Sequence, residues 1–193
     1  MSHDRYGYPG GPGLSRREEE EEVRGKLGLA VKILAGEMSP SLIPAAGSNI
    51  CYALSGARAP DHIAAVQGGF VKADGRVRPA GGVAFGVAGD VARVVLTAMR
   101  SDPGIRSAAV IGYSAEVLAI LEDLLLETCE FDRSREPPGV STMDWGVASC
   151  CRDGVPDVIF DRGAAGREPL IRLLGEEPVP VAQTIVAISH RIS

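Results

Sequence analysis

Apolar residues first recur with helical spacing at Val23, Leu27, Val31 and Leu34, which predicts an amphipathic helix over residues 16–35 that ends at Gly36. Ser15 followed by Glu18 forms the pattern of a capping box, and the run Glu18–Glu22 reads as the helix's solvated face, well placed against the positive end of its dipole. After a Pro-bearing turn, Gly47–Leu54 starts with small and polar groups and continues as a strand-forming run. Residues His62–Val71 and Val83–Phe85 predict further strands, with a turn around Ala73-Asp74-Gly75. From Val87 the period becomes helical through Val91, Val94, Val95, Ala98 and Met99, until Asp102-Pro103-Gly104 stops it.

Arg106–Tyr113 contains Ala108 to Ile111 without alternation, as expected of a central strand covered on both faces. Ser114 then caps a predicted helix with Val117, Leu118, Leu121, Leu124 and Leu125 on its apolar side. Asp132–Gly139 is polar and Pro-bearing and predicts a loop; Thr142 is placed to cap a short helix through Trp145 and Cys150. Val158-Ile159-Phe160, closed by Asp157 and Asp161, is a short buried strand. A side-chain-poor turn follows, with Glu168-Pro169 where a helix would begin. Pro180–Ile192 carries Val181, Ile185, Ile188 and Ile192 at near-helical spacing and predicts a helix, although Thr184–Ser189 also fits a strand. Strands alternating with helices give an α/β class: a single domain over residues 15–193 with a twisted mixed sheet and helices packed on it. Residues 1–14, rich in Gly, Pro and Tyr without a period, are expected to be a disordered tail.

The 193 residues suffice for one substantial core. A net charge of −5, inflated by the acidic run, argues against direct nucleic-acid binding. No apolar stretch approaches the roughly 18 residues of a membrane span, and the N-terminus has no apolar signal core, so a cytoplasmic protein is expected. Cys51, Cys129, Cys150 and Cys151 lack metal-ligand spacing and are expected to be reduced, with a vicinal Cys150-Cys151 bond or a reactive thiol as the minority reading. His3, His62 and His190 have no ligand partner three or four residues away, so no metal site is expected.

Candidate chemistry concentrates in Pro156–Gly175. At Gly163, Ala164, Ala165 and Gly166 the backbone N–H groups can approach a ligand closely, and a helix start beside Arg167 would suit an anion. The competing reading is an ordinary connection whose glycines serve only the turn. Ser48 and Asn49 are either turn residues or donors to a substrate. Trp145 is either a core anchor or a stacking platform.

Three stretches together resemble the ThiN-type thiamine-phosphate synthase family: Gly47–Ala57 (GSNICYALSGA), Phe85–Ala109, and Pro156–Gly175 (PDVIFDRGAAGREPLIRLLG). The likeness spans about residues 25–190 in consistent order, and the last stretch is the most specific. The family reaction joins a pyrimidine diphosphate to a thiazole phosphate and releases pyrophosphate, which calls for donors around the departing phosphate. Carried onto this chain, the resemblance implies ligand binding by Ser48, Asn49, Asp161, Gly163, Ala164, Gly166, Arg167 and Glu168. Three positions depart from the family pattern. Gly69 stands where the pattern has Arg, Asp90 where it has His, and Gly112 within a basic motif. The resemblance therefore implies a domain that binds thiamine phosphate or a related phosphorylated heterocycle with weak or no catalysis. The alternatives are an active transferase, with magnesium as its ion and Arg76, Arg93 or Arg167 supplying phosphate contacts, or a regulatory subunit. No other cofactor is implied. A homodimer or a separately encoded regulatory partner is the expected assembly.

Overall fold

The computed structural model describes residues 13–140 and 142–192. Helix α1 (Arg16–Glu37) begins at the expected capping box: the Glu18 N–H donates to the Ser15 hydroxyl at 3.3 Å, and the Ser15 N–H donates to the Glu18 carboxylate at 2.7 Å. Strands β1 (Asn49–Ala53), β2 (Ile63–Val66), β3 (Phe70–Ala73), β4 (Arg76–Pro79) and β5 (Val83–Phe85) lead to α2 (Asp90–Ser101). Then come β6 (Ser107–Gly112), α3 (Ala115–Asp123), β7 (Thr128–Glu130), α4 (Thr142–Cys150), β8 (Val158–Phe160), β9 (Leu170–Gly175) and α5 (Pro178–Ser189). Seven strands form one mixed sheet in the order β5-β2-β1-β6-β9-β8-β7, antiparallel except for β7–β8, while β3 and β4 form a separate hairpin. This is the α/β class expected from the sequence.

Both faces of the sheet are covered, which explains the unalternated central strand. Ala109 and Ile111 of β6 and Ile171 and Leu173 of β9 pack with α1, α3 and α5 in one core. Ala108 and Leu174 belong to the opposite core, under α2 and α4. The C-terminal element is a helix, as the spacing of its isoleucines indicates.

Four expectations need correction. The predicted strand over 62–71 is broken after Val66, because Gly68 and Gly69 both take positive φ (76° and 69°) and turn the chain into β3. Leu124 and Leu125 do not extend the apolar face of α3. The helix ends at Asp123, Leu125 has φ 61°, and its side chain is 91% exposed. No helix begins at Glu168-Pro169: residues 170–175 are β9, paired with β6 on one side and β8 on the other. Its side chains alternate between two apolar cores, so the run looks as helical as it looks extended. Finally, Cys129 and Cys150 are joined in a disulfide, leaving Cys51 and Cys151 as free, buried thiols. Their separation of 21 residues hides that the chain brings β7 and the end of α4 together. Most of the tail, residues 1–12, and the side chain of the proposed cap Thr142 lie outside the described residues.

Candidate functional site

A cavity of about 260 Å3 opens at the rim where β1 begins, β6 ends and α2 starts. Ser48, Asn49, Gly69, Asp90, Val110 and Leu170 are among its lining residues. Two of the expected ligand residues brace this wall. The Asn49 side chain donates to the Val66 carbonyl at 2.9 Å and accepts from the Val66 and Ile50 N–H groups at 3.1 and 2.9 Å. The Ser48 hydroxyl donates to the Val110 carbonyl at 2.6 Å, and the Ser48 carbonyl accepts from the Phe70 N–H. Their polar groups thus hold β1 to β2, β3 and β6.

Gly69 sits against that wall with φ 69°, and a Cβ built on it would lie 2.4 Å from the Ser48 carbonyl oxygen. An L side chain is excluded twice there, by backbone conformation and by space. Asp90 opens α2, after Gly89 with φ 56° and no side-chain cap. In that first turn the Ala92 N–H donates to the Gly89 carbonyl at 3.2 Å; the positive end of the helix dipole would favour an anion, whereas the exposed Asp90 carboxylate beside it opposes one. No ion pair holds Asp90 among the described residues.

Asp161 is enclosed. It is fully buried, and its carboxylate accepts from Arg172 Nη1 at 2.9 Å and from the Gly163 N–H at 2.8 Å, with Arg133 Nε 3.1 Å away. Arg172 is also fully buried, with its guanidinium 5.1 Å from the centre of the Phe131 ring. Burial lowers its pKa below the ordinary value while the charge of Asp161 pulls the other way. The pairing of Arg172 with Val110 places its side chain on the sheet face that bears the first cavity. The carboxylate expected to receive ring N–H groups is therefore held as a counter-ion inside the protein.

The segment Gly163–Arg167 is the tight loop of the β8–β9 hairpin. Ala164 and Arg167 exchange N–H to carbonyl hydrogen bonds at 3.0 and 2.9 Å. The N–H groups of Gly163, Ala164 and Arg167 are thus used within the loop, and no helix dipole follows them. Glu168 accepts from the Ala45 and Ala46 N–H groups at 3.1 and 2.8 Å. It shares a second cavity, about 360 Å3, with Gly112, Tyr113 and Ser114. Ala164 and Arg167 line another, about 290 Å3, with Arg133 and Glu136. The expected residues are consequently divided: Ser48, Asn49, Gly69 and Asp90 meet in one cavity, Gly112 and Glu168 in a second, and Ala164 and Arg167 in a third. Arg133 and Arg172 were missed. The signal for Arg172 was a charge inside the apolar run Ile171–Leu174, which needs a buried partner; Arg133, in a polar loop, gave none. Trp145 packs edge-on against Phe131, with ring centres 6.3 Å apart, as a core anchor. Among the described residues no group of His, Cys, Asp and Glu could hold a metal ion, and no helix is long and apolar enough to cross a membrane.

Comparison with known proteins places this geometry. The model of the family described as thiamine-phosphate synthase ThiN matches residues 26–187. The thiamine-phosphate synthase ThiN of Methanothermobacter thermautotrophicus is 35% identical over 180 residues, covering 90% of this chain and 93% of that protein. The bifunctional thiamine biosynthesis protein ThiDN of Methanocaldococcus jannaschii is 35% identical over 187 residues; the match covers 95% of this chain but only 44% of that longer protein. The crystal structure of the C-terminal domain of protein MJ0236 superposes with a TM-score of 0.83 at 36% identity, covering 89% of this chain and 95% of that one. The chain belongs to the thiamine-phosphate synthase ThiN family.

Proposed function

We propose that this chain binds thiamine phosphate, or a closely related phosphorylated heterocycle, in the cavity between β1, β6 and α2, with weak or no synthase turnover. The observation that supports this reading is the make-up of the cavity wall at Gly69 and Asp90. Releasing pyrophosphate calls for cations around the departing group. At one of the two positions where the family pattern carries Arg and His, this chain has a glycine with no room for a side chain. At the other it has a carboxylate, which repels a phosphate at short range by up to a few kcal/mol. The cavity, about 260 Å3, lies just below the roughly 300 Å3 at which small-ligand pockets begin, so it is of the order needed for one small molecule.

Calorimetry of the full chain with thiamine phosphate and thiazole phosphate tests binding, and silence with both overturns the proposal. A product assay with both substrates and magnesium tests turnover. Efficient product formation would favour the second reading, an active synthase, which rests on the 35% identity to a protein named for that activity.

A further inference from the structure

The cavity beneath Pro137–Val140 has an unbalanced charge. Arg133, Arg167 and Glu136 line it, and Asp161 with Arg172 stands directly behind Arg133. Arg167 pairs with Glu136 at 2.9 Å, and Arg172 with Asp161 at 2.9 Å. Arg133 is the remaining cation among the described residues. Its side chain is 7% exposed, and among those residues its ion-pair contact is Nε to the already occupied Asp161 at 3.1 Å, without the alignment of a hydrogen bond. Arg172 Nε and Nη2, deeper in, have no hydrogen-bond partner among the described residues. Among the described residues three guanidiniums thus share two carboxylates at ion-pair distance, with Asp90 acting on Arg172 only from farther off, and Arg133 is nine-tenths buried at the edge of an open cavity of about 290 Å3.

Buried donors in native proteins nearly always have acceptors, and a buried cation without a counter-ion is costly. A guanidinium held rigidly by its neighbours also presents its fork of N–H groups in the geometry that suits a tetrahedral oxyanion. We propose that Arg133, backed by Arg172 and flanked by Arg167, binds one phosphate group in this cavity. Glu136 and Asp161 bound the site to a small anion, since a larger negative charge would meet both carboxylates. The phosphate arrives either as part of a phosphorylated ligand or as free phosphate or pyrophosphate. This assignment goes beyond the heterocycle reading of the first cavity and does not require it.

The test uses the full chain in chloride buffer at fixed ionic strength. Inorganic phosphate, pyrophosphate, thiamine and thiamine phosphate are titrated separately by calorimetry, and thermal melts are followed in parallel. Ala164→Asp places a carboxylate at the exposed lip of the cavity without touching the buried arginines; Arg133→Gln removes the receiving group. Arg135→Gln removes an equal charge from the same loop, outside the lining. The parent and Arg135→Gln are expected to bind phosphate or pyrophosphate, and Ala164→Asp and Arg133→Gln to lose at least tenfold in affinity. If the phosphate belongs to the heterocycle, thiamine phosphate binds more tightly than thiamine, and Ala164→Asp abolishes the difference. If it is free, inorganic phosphate or pyrophosphate alone raises the melting temperature of the parent and not of Ala164→Asp. No anion response in the parent, or an unchanged response in folded Ala164→Asp, overturns the assignment. Silence toward thiamine phosphate with a retained phosphate response would count against the first cavity's reading alone.

Discussion

Asp161→Asn exchanges a single heavy atom at the centre of a buried charge cluster. The substitution keeps the shape of the side chain and an acceptor for the Gly163 N–H, but removes the charge that two buried guanidiniums share. At roughly 4 Å between charge centres and an effective dielectric near 20, each pairing is worth about 4 kcal/mol. Removing one partner of a buried pair costs roughly 3–5 kcal/mol, because the other charge stays behind unpaired. Here two charges of the same sign stay behind, at 0% and 7% exposure, so the upper half of that range is expected. At about 2–4 °C per kcal/mol for a chain of this length, the melting temperature should fall by roughly 8–20 °C. Urea unfolding followed by far-ultraviolet circular dichroism would read it as a lower midpoint with an unchanged slope. Arg172→Met, which leaves Arg133 and Asp161 as a balanced pair, should cost less, and the double variant should cost less than the sum of the two. A loss below about 1 kcal/mol for Asp161→Asn, or strict additivity in the double variant, would refute the claim that Asp161 is a structural counter-ion.

Three further outcomes follow from particular contacts. Gly69→Ala should cost at least about 1–2 kcal/mol in thermal or urea melts, from the left-handed backbone alone and before the 2.4 Å approach to the Ser48 carbonyl is counted. Reduction of Cys129–Cys150, which closes a loop of 21 residues, should lower stability by about 3 kcal/mol in the chain-entropy picture, measured by melts with and without reductant. In the same samples Cys51, whose thiol pKa burial pushes up to about 12, and the buried Cys151 should resist alkylation until the chain unfolds. Glu19 is partly desolvated, yet its carboxyl is held below the ordinary 4.5 by the Ser55 N–H and the Arg106 guanidinium. Its contribution is therefore complete above about pH 4.5 and lost as pH falls through the lower folded value; the gap in stability between parent and Glu19→Gln should close in acid.

How far the sequence revealed this molecule depended on whether a segment's own residues decided its shape. Helix α1 could be read directly, because its cap, period and stop are all local. So could β6, since apolar residues on both sides of a strand leave an unbroken run. Strand β9 could not. Leu170–Gly175 alternates between two cores that are both apolar, so its period of two leaves no trace, and only pairing with β6 and β8 distinguishes it from a helix. The break at Gly68-Gly69 was visible as composition but not as a turn, because the sheet ends there for reasons of register. In the site, the grouping of Gly69 with Asp90 was legible from motif positions, whereas the enclosure of Asp161 depended on Arg133, 28 residues away in a polar loop with no periodicity.

Gly69, Asp90 and Gly112, the three positions that the resemblance marked as departures, are physically unlike one another. At Gly112 an added Cβ would meet nothing nearer than 3.5 Å, an ordinary contact, so a side chain there needs no change in the backbone. At Asp90 the side chain is exposed on the first turn of a helix and can be exchanged freely. At Gly69 the turn itself has φ 69° and lies against the Ser48 carbonyl, whose own hydrogen bond to Phe70 starts the β3–β4 hairpin. A basic side chain at 69 would therefore require the exit from β2 to be rebuilt, and with it the wall that Ser48 and Asn49 brace. Asp90→His and Gly112→Arg should consequently be tolerated as folded proteins, while Gly69→Arg should lower the melting temperature; on the proposed reading of weak or no turnover, none of the three should gain in a product assay. Turnover appearing in a folded Gly69→Arg variant would show that the turn yields at little cost, and that the cation rather than the backbone was the limiting element.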